Sequence, residues 1–183
     1  FLHEFEKHFD QSPDSGSDHP EFLAIQFSQS PDLRSVRINT PKLWARLRER
    51  FGSVPLPDVA SPLPSNAFDL IYANVSASNP LLSKEDFDAR GILGVANWGV
   101  LACRPAESFA GALLARRAHI PTKNFAKCCT HFCSYLLAHA DDELVFNPCK
   151  LDSFHDFCSN TDSSWSNCPE THRSWFGYCI SWC

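Results

Sequence analysis

The chain has no excess of basic residues, no apolar run long enough to cross a bilayer and, before Cys103, no cysteine. Each absence excludes something. Lys and Arg number 16 against 21 Asp and Glu, a net charge of −5. A nucleic-acid partner would want a cationic stripe that displaces counterions from phosphates. The nearest approach to one, Arg46, Arg48 and Arg50, reads as the solvated face of a helix, so no nucleic acid is expected among the partners. A bilayer-spanning helix needs roughly 18 or more apolar residues in a row, and no such run occurs. Gly-rich phosphate loops, His-Glu-x-x-His and Gly-x-Ser-x-Gly are missing as well, and with them the usual signatures of nucleotide binding, zinc peptidases and serine hydrolases. Methionine is absent, which excludes nothing. A first residue of Phe1 leads us to expect a processed or excised piece.

What is present describes a globular protein. Apolar residues make up 44% of 183, enough for one domain to bury a core without staples. The nine cysteines are crowded into the second half, and their odd number leaves at least one thiol unpaired in a monomer. A bridge-built scaffold spreads its bridges over the whole domain, whereas here the first hundred residues have none. That favours a reducing compartment. The sequon Asn74-Val75-Ser76 points the other way, to secretion. In that case Cys149, Cys158, Cys168, Cys179 and Cys183 are the disulfide candidates.

Three parts follow along the chain. In residues 1–21, Phe1, Phe5 and Phe9 form an i, i+4, i+8 stripe suited to a short helix. An acidic Pro/Gly/Ser linker comes after it. Residues 22–148 read as an α+β core domain: a small antiparallel sheet packed with about three helices. Strands are expected at Phe22–Phe27 and Leu33–Ile38, with a turn at Ser30-Pro31-Asp32. The clearest helix starts at Thr40-Pro41, presents Leu43, Trp44, Leu47 and Phe51, and closes at Gly52. A buried strand is expected over Phe68–Val75 and a glycine-bearing, β-leaning run over Gly91–Cys103. Helices follow at Glu107–Arg117 and Asn124–His139, then a short strand at Leu144–Phe146. Residues 149–183, rich in Cys and Trp, show weak periodicity and read as an irregular segment.

Two short stretches carry the chemistry. Asn97-Trp98-Gly99-Val100 and Cys128-Cys129-Thr130-His131-Phe132 resemble, in order, the His-Trp-(Ala/Gly)-(Ile/Val) and Asn-Cys-(Glu/Thr)-His-Phe boxes of the lecithin:retinol acyltransferase-like, NlpC-related thiol proteins. The H-box/NC non-structural proteins of picornaviruses belong to that group. The resemblance implies a strand at 97–100 beside the start of the thiol helix, with Cys129 as nucleophile. The family's base is a His, and Asn97 stands in its place. A nucleophilic Cys must be thiolate, and the imidazole both lowers its pKa and returns a proton to the leaving group. An amide cannot shuttle protons near pH 7. His119 is the candidate substitute base. His131, two residues along the helix from Cys129, diverges from it.

The residues also support readings without chemistry. Phe125, Cys129, Phe132 and Leu136 form an i, i+4, i+7, i+11 stripe of the kind that faces a core, and free Cys is among the most buried residue types. Zinc on Cys128, His131 and Cys133 is a weaker alternative, because paired Cys-x-x-Cys knuckles are missing. His139-Ala140-Asp141-Asp142-Glu143 resembles the His-Pro-Asp-Asp-Glu box of zinc-dependent deacetylases, but at a helix end it reads as a solvated exit. The leading expectation is therefore a non-catalytic protein of H-box/NC type. By resemblance, it would be a viral accessory protein in the host cytoplasm that contacts a host protein or membrane surface and needs no cofactor. The alternatives are a secreted, disulfide-containing effector and an active thiol acyltransferase or hydrolase using Cys129 and His119.

Overall fold

The computed structural model describes residues 21–32, 34–52 and 55–146, and the backbone alone of 157–164 and 175–182. The stripe at Phe1, Phe5 and Phe9 and the linker after it lie outside these residues. The chain divides into two units, 1–145 and 146–183.

The first unit is α+β, as the sequence leads one to expect. Its sheet has four antiparallel strands in chain order: β1 (Glu21–Phe22), β2 (Ile25–Gln29), β3 (Val36–Asn39) and β4 (Leu144–Phe146). The single strand expected at 22–27 is folded back on itself. Leu23 and Ala24 both adopt positive φ, 53° and 66°, and pair β1 with β2 through a two-residue turn. Such turns favour Asn-Gly. A side chain in the left-handed region costs about 1–2 kcal/mol, so Leu-Ala holds this turn against its own preference. β2 and β3 then pair in the register Gln26↔Asn39 to Gln29↔Val36.

Asn39 joins the sheet to the helices. Its amide oxygen accepts from the Thr40 N–H (2.6 Å) and from Trp44 Nε1 (3.1 Å), and its Nδ2 donates to the Ala140 carbonyl (3.1 Å). Helix α1 (Pro41–Phe51) follows, with Pro41 in its first turn, Leu43, Trp44 and Leu47 buried, and Gly52 at its end with φ +53°. Thr40 sits at the cap position but makes no side-chain cap bond. Its hydroxyl faces the Cys103 thiol instead, at 3.5 Å.

Two segments expected as strands are helices: α2 (Ala67–Ile71) and α3 (Ala89–Cys103). In α3 the buried positions are Ala89, Ile92, Leu93, Ala96, Gly99, Val100 and Cys103. Their spacing of three and four is the helical period, and burial outweighs the local cost of glycine. Asp88 starts the helix by accepting the Gly91 N–H at 3.1 Å. Gly99 is needed for packing, since a Cβ there would overlap the Trp44 ring. A 3₁₀ turn at Pro105–Glu107 leads into α4 (Ser108–Arg117), and α5 (Lys123–Ala138) closes the layer. The α5 cap is Thr122, whose hydroxyl accepts the Phe125 N–H at 3.2 Å, so the helix starts one residue before the expected Asn124. Helix α5 packs against each of the other four α-helices among the described residues, and Phe125, Cys129, Phe132 and Leu136 are all wholly buried on it.

In the second unit, β5 (Phe157–Ser164) and β6 (Trp175–Trp182) form an antiparallel pair running from Phe157↔Trp182 to Ser164↔Trp175. This hairpin lies within the segment that the sequence leaves irregular.

Candidate functional site

Four cysteines of the first unit, Cys103, Cys128, Cys129 and Cys133, are free and buried. Cys129 has 0% of its surface exposed. Burial pushes its thiol well above the ordinary value, and the neighbouring thiols Cys133 and Cys128 push the same way. Burial alone raises Cys128 to about 11 and Cys133 to about 12. The Cys128 thiol faces the Ala67 carbonyl at 3.9 Å. At neutral pH these groups are neutral SH, and a neutral thiol is a poor nucleophile. Cys129 lies in the second turn of α5, beyond the reach of the helix N-terminus.

The two candidate base positions lie elsewhere. Asn97 is on α3, and its Nδ2 donates to the Gly111 carbonyl of α4 at 3.4 Å. A Cβ on Gly111 would overlap the Asn97 side-chain oxygen, so the amide fills the crossing of these helices. The strand that the family resemblance implies at 97–100 is the third turn of a helix. Asn97 and His119 line one open cavity of about 340 Å³, together with Arg90, Leu93 and Gly94. Cys129 does not line it. The structure thus brings the base position and the substitute imidazole together and leaves the thiol inside the core.

His131 Nε2 contacts the Ser61 carbonyl at 2.9 Å, fixing the loop at 61 to α5. Cys128 and Cys133 do not join it: among the described residues, no three His, Cys, Asp or Glu side chains come together as metal ligands. The zinc alternative on Cys128, His131 and Cys133 therefore draws no support from the described residues. Cys149, Cys168 and Cys183 lie outside the described residues. Cys158 stands opposite Ser181 and Cys179 opposite Asn160, so no two cysteines face each other across that ladder.

The acidic run at the end of α5 has a structural task. Arg104 is buried, with Nη1 donating to the His139 carbonyl (2.9 Å) and lying 3.3 Å from Asp142, while Nη2 meets Glu107 at 3.4 Å. His139 Nδ1 contacts the same Asp142 carboxylate at 3.1 Å. This cluster ties the end of α3 to the end of α5.

The sequence reading missed two features. One is a basic rim on the groove beside His119, formed by Lys84 and Arg90. Lys84 lies in the loop before α3 and Arg90 in its first turn, and only the fold brings His119 beside them. The other is an apolar display: Leu23 at the turn is 60% exposed, Trp98 43% and Leu101 77%. Trp98 and Leu101 share one face of α3, and Trp98 Nε1 donates to the Leu23 carbonyl at 3.2 Å.

Compared with known proteins, the chain matches no family model, no curated protein and no solved structure. Among the described residues, no helix is long and apolar enough to cross a membrane.

Proposed function

We propose that this protein acts by contact and not by covalent chemistry: a non-catalytic accessory protein of the H-box/NC kind that binds a host protein. The burial of Cys129 carries this reading. A thiol held neutral inside the core, away from the groove where Asn97 and His119 meet, has neither the charge nor the access that acyl transfer needs. An active acyltransferase or hydrolase on Cys129 and His119 therefore draws no support from the geometry.

The contact surface is the apolar display at Leu23, Trp98 and Leu101. The chain keeps Leu23 exposed on a turn that costs strain, and strain of this kind collects where a surface is used. Trp and neighbouring apolar anchors supply much of the energy of protein interfaces. A protein partner fits better than an anionic membrane, because a chain of net charge −5 is repelled by an acidic leaflet. Free thiols throughout the described body fit a reducing compartment such as the host cytoplasm.

A photo-crosslinking residue placed at Leu101 tests the reading. Protein adducts that vanish when Leu23→Asp is added are expected. Lipid adducts would move the assignment to a membrane surface, and no adduct of either kind would refute a contact role for this face.

A further inference from the structure

The groove along the first turns of α3 gathers basic side chains that the composition does not announce. Two cavities, of about 560 and 340 Å³, run into each other through shared walls at Arg90, Ala118 and His119. Three basic side chains reach this space from three separate segments: Lys84 from the loop before α3, Arg90 from α3, and His119 from the turn after α4. One carboxylate, Asp88, also lines it, but its charge is already engaged. It accepts the Gly91 N–H at 3.1 Å and pairs with Arg50 at 3.1 Å. The Ala89 and Gly91 N–H groups of the first turn are occupied, by the Phe87 carbonyl and by Asp88. The Arg90 N–H has no acceptor among the described residues. Asn97 adds one amide to the smaller cavity, and the larger side chains of the remaining walls, Phe87, Leu93 and Pro121, are apolar.

We infer that this groove binds a phosphate monoester whose organic body is apolar or ring-shaped. A phosphate presents three oxygens in a tetrahedral array, which suits donors converging from three directions better than a planar carboxylate does. The combined space is of the size that small-molecule sites occupy. Phe87 and Pro121 give the organic body an apolar surface while the phosphate meets Lys84, Arg90 and His119. Glu85 and Asp86 line the adjoining cavity that shares Lys84, but within this groove the one carboxylate is the paired Asp88, so an anion here meets Lys84 and Arg90 first. The inference does not depend on the proposed contact role, which rests on Leu23, Trp98 and Leu101, none of which lines these cavities.

Titration of the full chain with phenyl phosphate, followed by amide NMR shifts, tests it. Saturable shifts at Arg90, Gly91 and His119 are expected, with phenol alone giving none. Lys84→Gln combined with Arg90→Gln should weaken binding roughly tenfold or more. Both residues are exposed, so the fold should persist, and an unchanged thermal midpoint verifies that. Co-sedimentation with phosphatidic acid vesicles distinguishes a lipid source of the same headgroup from a soluble one. Binding in either arm that the double variant abolishes supports the site. No saturable shift up to about 10 mM with no vesicle binding, or equal binding by the double variant, overturns it.

Discussion

Helices α3 and α5 are both rich in apolar residues, yet they dispose of them in opposite ways. No large apolar side chain of α5 is exposed, and three of its thiols are sealed among Phe125, Phe132 and Leu136. α3 buries one face against Trp44 through Gly99 and leaves Trp98 and Leu101 in solvent. The helix that bears the thiols is thus the structural one, and the helix that bears the altered first box is the one with a free surface. Reactive-looking residues in a motif do not make a site when packing has already used them.

Substitutions should separate the two helices. The largest effect is expected in α5. Phe132→Ala removes a wholly buried ring at the centre of the helical layer and should cost about 3–5 kcal/mol in chemical denaturation. A loss under about 1 kcal/mol would mean that α5 is not the core. Next comes Arg104→Ala at the cluster joining the helix ends. Glu107 would lose its partner while buried, at a cost of about 3 kcal/mol. Arg104→Met with Glu107→Met should recover part of that loss, and the difference measures the charge left unpaired.

Alkaline pH should act through the buried thiols, three on α5 and Cys103 at the end of α3, which burial also pushes up. The Cys128 thiol is raised from 9.0 to about 11 in the fold, so the unfolded chain releases its proton first as pH rises. Stability from this group is complete below about pH 9 and is lost between there and pH 11. Cys133 extends the loss toward pH 12. Denaturation midpoints should fall across that window, and Cys128→Ala should flatten the fall. The smallest effect on stability belongs to α3. Leu101→Asp, at a highly exposed position, should change stability by less than about 0.5 kcal/mol while abolishing crosslinking to a partner.

The same two helices mark how far the sequence could be read. α5 was legible because Phe125, Cys129, Phe132 and Leu136 keep a clean helical spacing. α1 was legible because Pro41 and Gly52 punctuate it. α3 reads locally as β-leaning because Ile92, Val95 and Val100 favour a strand and its three glycines weaken a helix, although Ile92, Ala96, Val100 and Cys103 keep the helical spacing that burial obeys. Asp88, directly before Ala89, was the overlooked start signal. For α2, Phe68–Val75 is too short for apolar composition to distinguish strand from helix. At the candidate site, the buried stripe through Cys129 could be anticipated. The meeting of Asn97, Arg90 and Lys84 with His119 could not, because tertiary packing alone brings His119 to that groove.

The account stands or falls on the state of one sulfur. Alkylation of the folded protein by iodoacetamide at pH 7, read residue by residue by mass spectrometry, should leave Cys129 unmodified until the chain is unfolded in denaturant. Modification of Cys129 in the native protein at or above the rate of glutathione would mean an accessible thiolate, and a catalytic protein in place of a binding one.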